Sequence, residues 1–153
     1  MATTQAPAPK ITNAGTRPTT PHKLFVNIPV SDVQRAITFF EALGFVFNAQ
    51  FTDATATCML VGEDAYFMLL SKDRFAGFAK GPIGDPRKQT SALFALSVDS
   101  RADVDAMVDR AVAAGGSPGG DKQDHGFMYG WGFTDPDGHR WEVFWMDPKT
   151  VQG

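Results

Sequence analysis

Residues 24–32 read LFVNIPVSD, and a similar pattern returns as LFALSVDS at residues 93–100. In both stretches apolar residues alternate and then run together, which is typical of a strand with one face in a core. A helix N-cap residue follows each strand, Asp32 in the first stretch and Ser100 in the second. The repetition predicts an internal duplication, in which a strand followed by a helix opens each half.

The rest of each half can be aligned in the same way. An offset of 68 residues lays Val98 on Val30, whereas an offset of 74 residues lays Glu142 on Met68 near the ends of the halves. Three runs rich in branched and aromatic residues, at 45–53, 55–61 and 65–70, indicate three strands after the first helix. The first half is therefore a βαβββ module.

The helices end where glycines follow the apolar pattern. Gly44 closes the first helix, at 33–43, and Gly115 follows a second helix that runs from Ser100 to about Ala114. The apolar face of the first helix is predicted to consist of Val33, Ile37, Phe40 and Leu43. The stretch 72–89 has no clear period and is interpreted as a linker.

These elements predict an α+β fold, in which two βαβββ modules form a curved mixed sheet around a cup and the helices cover the outer face. We expect one domain at 23–148, with modules at 23–72 and 90–148. Residues 1–22, rich in Thr, Ala and Pro, are expected to form a flexible tail.

Composition limits the possible partners. A net charge of −3 without a basic stripe argues against nucleic acid, and no apolar run is long enough to span a bilayer. The single cysteine, Cys58, cannot form an internal disulfide, which favours a reducing cytoplasm. A small molecule is the expected ligand.

Three motifs resemble a known superfamily. They are NIPVSD at 27–32, the pair Phe39-Phe40 followed by Leu43-Gly44-Phe45, and FTDPDGHRWEVFW at 133–145. Together they resemble the vicinal-oxygen-chelate superfamily of glyoxalases, bleomycin-resistance proteins and extradiol dioxygenases. DHGFMYG before the DPDGH turn is similar to the predicted lactoylglutathione-lyase-like branch. Relatives of this length usually pair, so the resemblance implies a homodimer whose two chains border each cup.

The resemblance also implies four metal-ligand positions, which carry Phe25, Met68, Leu93 and Glu142 here. Phe, Met and Leu offer no imidazole or hard oxygen donor, and about three protein ligands are needed to hold a divalent metal firmly. We therefore expect no metal cofactor. At most, a divalent metal would bind weakly through Glu142.

Glu142 is the principal candidate, because in WEVFW a charge alternates with large apolar residues and should enter the cup among apolar groups. Asn27 shares strand parity with Phe25 and is the second polar candidate, although its amide could simply bond to backbone. Trp141 and Trp145 have the opposite parity and should pack beneath the helices.

His125 and Tyr129 follow as possible catalytic residues. His125 could act as general acid or base, and Tyr129, four residues later, would lie on the same strand face. A structural histidine and a core tyrosine are the alternatives. His139, directly after the DPDG turn, is expected to be exposed and to help close the hairpin.

Two functions remain open. The first is a metal-independent protein that binds a small organic molecule in an apolar cup, anchored by Glu142, Asn27 and His125. The second is a lactoylglutathione-lyase-like lyase or isomerase, or a dioxygenase, with Glu142 as base or residual metal ligand and His125 or Tyr129 stabilising an enolate. The apolar lining of the cup is predicted to consist of Phe25, Met68, Leu93 and Phe144.

Overall fold

The computed structural model describes residues 5–150, which contain two successive strand–helix–three-strand modules. The first module consists of β1 (Leu24–Val30), α1 (Val33–Ala42), β2 (Val46–Asp53), β3 (Ala56–Leu60) and β4 (Ala65–Ser71). The short helix α2 (Lys72–Phe78) follows it. The second module consists of β5 (Leu93–Ser97), α3 (Arg101–Ala113), β6 (Ser117–Asp124), β7 (Met128–Thr134) and β8 (Arg140–Met146).

Each module forms its own four-stranded mixed sheet. The strand order is β1-β4-β3-β2 in sheet 1 and β5-β8-β7-β6 in sheet 2, and in each sheet the first two strands are parallel and the rest antiparallel. The two sheets with their helices agree with the predicted α+β fold of two modules.

The strand register confirms the duplication residue by residue. Asn27 pairs with Met68 in sheet 1, and Ala95 pairs with Glu142 in sheet 2. These two pairs are related by the 68-residue and 74-residue offsets that the sequence predicts. Glu142 therefore occupies the place in sheet 2 that Met68 occupies in sheet 1.

The predicted helix caps are present. The Asp32 carboxylate accepts a hydrogen bond from the Arg35 amide at 3.0 Å, and the Ser100 hydroxyl accepts one from the Asp103 amide at 3.1 Å. Gly44 has a φ of 98°, in the left-handed region that favours glycine after a helix. The apolar face of α1 differs in part from the prediction, because Ala36 and Phe39 are buried and Ile37 is only partly so.

One hydrophobic core is shared by both modules, and Trp141 lies at its centre. The indole is completely buried, with ring centroids at 5.1 Å from Phe40 of α1, 4.8 Å from Phe67 of β4 and 5.0 Å from Phe94 of β5. This placement confirms that Trp141 faces the helices, away from Glu142. The partly buried Trp145 also packs against the core.

The DPDGH turn also joins the modules, through polar contacts. The Asp137 carboxylate accepts from the Ser31 amide at 2.8 Å and from the Arg35 guanidinium at 3.0 Å. His139 Nε2 lies 2.7 Å from the Pro29 carbonyl oxygen. His139 is buried, so the expectation that it is exposed was wrong: the first module covers the turn.

The stretch interpreted as a featureless linker begins with a helix that the sequence did not reveal. Ser71 caps α2 by accepting from the Arg74 amide at 3.3 Å. The helix packs against β1 and β4 but contains no fully buried residue, so it has no apolar period to detect. Among residues 5–150, no helix is both long and apolar enough to cross a membrane.

Residues 5–22 are exposed throughout and belong to no helix or strand. Residues 1–4 of the predicted tail lie outside the described residues. We expect a chain that begins at His22 to melt within about 1 °C of the full-length protein, since little buried surface is lost. Differential scanning calorimetry of the two chains measures this, and a loss of several degrees would show that the tail is docked.

Candidate functional site

Each sheet has one face toward the helices and one face away from them, which we call its open face. Strand pairing places the predicted ligand-binding residues on the open faces: Phe25, Asn27 and Met68 in sheet 1, and Leu93, Glu142 and Phe144 in sheet 2. Phe25 is 50% exposed and Leu93 is 58% exposed. Phe25 and Leu93 are therefore open to solvent in the single chain, whereas Met68 and Phe144 are partly buried.

Glu142 stands between small neighbours. Its lateral strand partners are Ala95 on β5 and Gly132 on β7. A Cβ atom at Gly132 would lie 3.0 Å from Glu142 Oε2 and 2.7 Å from the Trp141 carbonyl oxygen. Gly132 thus provides the space that the Glu142 carboxylate occupies.

The Glu142 side chain is exposed, whereas the sequence predicted a buried carboxylate. The reason is local, since Ala95 and Gly132 are too small to cover it. Within residues 5–150, its carboxylate makes no hydrogen bond or ion pair. It is therefore free to accept hydrogen bonds from a ligand.

A hollow of about 260 Å³ surrounds Glu142 and is formed by the second module. Its walls are mostly apolar, and two polar residues of β6, Asp121 and Gln123, complete them. The apolar walls consist of Met128, Trp131, Val143, Phe144 and Met146, together with Gly130. The sequence pattern indicated Glu142 and Phe144 but not Asp121 and Gln123, because the polar stretch at 117–124 has no apolar period that would mark a strand.

The candidates of sheet 1 lie outside this hollow. Phe25 stacks on Tyr66, with centroids 4.7 Å apart and planes inclined by 12°. The Asn27 amide donates to the Phe25 carbonyl oxygen at 3.2 Å, which is the backbone bond that the sequence left open. Met68 lies beside Asn27, with Cys58 as its other lateral neighbour.

Tyr129 points away from Glu142. It pairs with Trp145, on the helix side of sheet 2, and its hydroxyl donates to the Asp105 carboxylate of α3 at 2.7 Å. This hydrogen bond raises the pKa of the Tyr129 phenol. The structure therefore separates Tyr129 from Glu142 by the thickness of the sheet.

His125 lies in the exposed turn between β6 and β7, so it does not share a strand face with Tyr129 as the sequence suggested. Arg101 holds the turn by donating to the Asp124 carboxylate at 2.8 Å and to the Gly126 carbonyl oxygen at 2.7 Å. The hydrogen bond from Arg101 lowers the pKa of Asp124. The turn is thus fixed to α3, and His125 does not line the hollow.

Asp135 is a buried carboxylate whose hydrogen bonds stabilise the DPDGH turn. Its oxygens accept from the Trp141 indole at 3.0 Å and from the backbone amides of Asp137 and His139 at 2.9 Å and 3.0 Å. Burial raises its pKa. Because both oxygens are already bonded inside the turn, Asp135 is not available to a ligand on the open face.

The four positions at which the resembled superfamily places metal ligands do not fit a metal. Phe25, Met68 and Leu93 have no oxygen or nitrogen donor in their side chains, and Glu142 contributes a single carboxylate. Among residues 5–150, no three His, Cys, Asp or Glu side chains come together in a group that could hold a metal ion. The donor set on the open faces suits hydrogen bonding and apolar contact better than metal coordination.

Comparison with known proteins agrees with this architecture. The model of the family described as "Glyoxalase/Bleomycin resistance protein/Dioxygenase superfamily" matches residues 23–143. No curated protein sequence matches the chain.

Solved structures share the fold at low sequence identity. The hypothetical protein SA1046 from S. aureus has a TM-score of 0.70 and 22% identity, and the alignment covers 82% of this chain and 94% of that one. A glyoxalase-related enzyme from Fulvimarina pelagi has a TM-score of 0.70 and 18% identity, covering 83% and 88%. The fosfomycin resistance protein FosX from Listeria monocytogenes has a TM-score of 0.59 and 14% identity, covering 88% and 98%. At these identities the likeness concerns the fold alone.

Proposed function

This chain belongs to the glyoxalase/bleomycin resistance protein/dioxygenase superfamily, and from that premise we propose that it binds a small organic molecule against its open sheet faces, with Glu142 as polar anchor. The observation that carries the proposal is the unpartnered Glu142 carboxylate in a mostly apolar hollow. Such a site combines apolar contact with one directional polar group, as small-molecule sites do.

The chemistry of the hollow indicates what the ligand brings to it. Glu142 and Asp121 are both carboxylates, and Gln123 is their polar neighbour in the lining. An ionised carboxylate only accepts hydrogen bonds, so the ligand should offer a donor or a positive charge beside an apolar body. Met128 and Phe144 would contact that apolar body.

We propose that this binding needs no metal. Of the four positions where the superfamily places metal ligands, only Glu142 carries a carboxylate. Firm binding of a divalent ion takes about three protein ligands, so this supports the proposal. A reducing, cytoplasmic setting is part of the same proposal and fits the single cysteine, Cys58.

Catalysis is the second candidate function, and the same free carboxylate favours it. Glu142 could remove a proton next to a carbonyl group, as a lyase or isomerase requires. His125 and Tyr129 do not support this alternative, since neither lines the hollow around Glu142. A lyase or isomerase that uses Glu142 as base would therefore need another group, on the ligand or on a second chain, to stabilise the enolate.

We also propose a homodimer in which both chains border each ligand site. Within residues 5–150, β1 pairs only with β4 and β5 only with β8, so each sheet has an unpaired first edge. Exposed apolar side chains lie on these edge strands: Leu24 is 61% exposed, Phe25 50% and Leu93 58%. Pairing of such edges between chains would cover them and bring the open faces of two modules together.

One experiment separates binding from catalysis. The purified protein is analysed for bound metal and is then incubated with the hemithioacetal of methylglyoxal and glutathione, with and without added divalent ions. We expect no stoichiometric metal and no turnover. Metal at one ion per chain together with turnover would replace the binding proposal by the enzymatic one.

The Glu142→Gln variant tests the anchor. With protonated 2-phenylethylamine as the probe, we expect affinity to fall roughly tenfold or more, the loss of one charge-assisted hydrogen bond. Titration calorimetry measures the affinity, and urea unfolding should show a stability change within about 0.5 kcal/mol, since an exposed, unpaired carboxylate is removed.

The control is Asp109→Asn, which removes one negative charge from the exposed side of α3. It should bind the probe as the wild type does. If Glu142→Gln also binds normally, or if the wild type does not bind the probe, Glu142 is not the anchor.

A further inference from the structure

A second cavity, separate from the Glu142 hollow, opens where the two modules and the connecting segment meet. This junction cleft has a volume of about 290 Å³. Residues of β1, α2, the segment 83–92 and the start of β8 line it. Its apolar lining includes Val26, Ile28, Phe75, Ile83 and Phe94. Its size is near the lower end of the roughly 300–1,000 Å³ found for small-molecule sites.

The wall formed by the connecting segment is held in place. Asp85 begins a turn in which its carboxylate accepts from the Arg87 amide at 3.0 Å and its carbonyl oxygen accepts from the Gln89 amide at 3.0 Å. The Arg87 guanidinium donates to the Pro136 carbonyl oxygen of the DPDGH turn. Arg87 also packs on Gly138, where a Cβ atom would lie 2.7 Å from its Cγ atom.

These contacts hold the part of the wall formed by residues 85–89 in place. Arg87 ties this part to the DPDGH turn of the second module, so it needs little ordering when a ligand enters. A rigid wall lowers the entropic cost of binding, which favours small ligands with few contacts.

The charge of the cleft is positive. Arg140 is the one cationic side chain of its lining with a fixed charge, and the lining contains no Asp or Glu. Arg140 is exposed, and within residues 5–150 its guanidinium has no hydrogen-bond or ion-pair partner, whereas Arg35, Arg74 and Arg101 are each paired with an aspartate. The His139 ring is already engaged with Pro29.

Neutral polar groups accompany Arg140 at the cleft. Asn27 uses one amide hydrogen on the Phe25 carbonyl oxygen, which leaves its side-chain oxygen and its second hydrogen free. Gln89, Thr90 and Ser91 lie on the wall formed by the connecting segment. Their amide and hydroxyl groups are further hydrogen-bond donors in the lining.

We propose that the junction cleft binds a small amphipathic monocarboxylate, whose carboxylate pairs with Arg140 and whose apolar part lies against Phe75 and Phe94. A guanidinium matches a carboxylate through two parallel hydrogen bonds. One cation neutralises one negative charge. A phosphate monoester, with a charge near −1.5 to −2, would leave excess charge in a mostly apolar cleft.

This site is distinct from the Glu142 hollow. Arg140 and Glu142 lie two residues apart on the same face of β8, yet the cleft and the hollow have different linings and opposite charges. The two sites therefore prefer oppositely charged ligands, which allows each to be tested without the other.

The test uses three probes of similar size: phenylacetate, phenylacetamide and phenyl phosphate. Titration calorimetry of the full-length protein should show phenylacetate binding in the millimolar range or tighter, and phenylacetamide and phenyl phosphate at least about tenfold more weakly. Arg140→Gln should reduce phenylacetate affinity roughly tenfold or more.

The matched control is Arg110→Gln, which removes an exposed arginine of α3 that does not line the cleft. It should bind phenylacetate as the wild type does, and backbone amide shifts of Thr90 and Ala92 should move on titration of either protein. Equal affinity in Arg140→Gln, equal or tighter binding of phenyl phosphate, or no phenylacetate binding at about 10 mM would overturn the proposal. None of these results depends on whether Glu142 anchors a ligand.

Discussion

Trp141→Ala is expected to lower the free energy of unfolding by about 3–5 kcal/mol, the range measured for removal of a buried aromatic ring. The indole is completely buried and contacts rings from both modules. Its N–H also satisfies the Asp135 carboxylate at 3.0 Å. The alanine variant would therefore leave a cavity and remove a donor from a buried acid, and both effects act in the same direction.

Urea denaturation monitored by circular dichroism measures the effect. Trp145→Ala is the control, because Trp145 lies on the same face of β8 but is only partly buried. Trp145→Ala should lower the free energy of unfolding clearly less than Trp141→Ala does. Equal losses in the two variants would contradict the view that Trp141 joins the modules into one core.

The sequence predicted both modules because alternating apolar residues mark the strands and capping residues mark the starts of the helices. The strand that contains Trp141 and Glu142 places large apolar residues on one face and a charge on the other, which predicts which residue faces the helices. Asp32 and Ser100 begin the helices as expected, since side-chain capping depends only on local geometry. Once Asn27 is known to pair with Met68 in sheet 1, the two offsets give the pairing of Ala95 with Glu142 in sheet 2.

Elements that bury little surface were not predicted. β6 has the sequence SPGGDKQD and is almost entirely exposed, so no hydrophobic period marks it as a strand. Its strand character comes from pairing with β7, where Gly119 and Gly132 approach so closely that a Cβ atom at Gly119 would lie 3.0 Å from the Gly132 backbone. Asp121 and Gln123 escaped detection for the same reason.

The candidate site was predicted only in part, because exposure depends on neighbours that are distant in sequence. Parity placed Glu142 on the open face, but its exposure results from the small side chains of Ala95 and Gly132 on adjoining strands. Arg140 has the parity of Glu142 and could have been found by the same argument. Its position at the junction cleft, however, depends on the anchored segment 83–92.

Dimer formation is expected to fail in the Phe25→Asp variant. Phe25 is 50% exposed on the unpaired edge strand of sheet 1, and its stacked partner Tyr66 extends the apolar surface. A charge buried at the centre of an interface without a partner costs about 2 kcal/mol or more, which raises the dimer dissociation constant about 30-fold or more. The wild type should be dimeric at micromolar concentration in light scattering, and the variant monomeric.

The control is Phe51→Asp, which places the same charge on β2, where Phe51 is 58% exposed at the opposite edge of sheet 1. We expect this variant to remain dimeric, because the proposed contact joins the edges formed by β1 and β5. Both variants should stay folded, since each replaced side chain is at least half exposed. If both chains border each ligand site, Phe25→Asp should also weaken binding of 2-phenylethylamine, whereas Phe51→Asp should not. A monomeric wild type, or a dimer lost only in Phe51→Asp, would show that the β1 and β5 edges do not pair between chains.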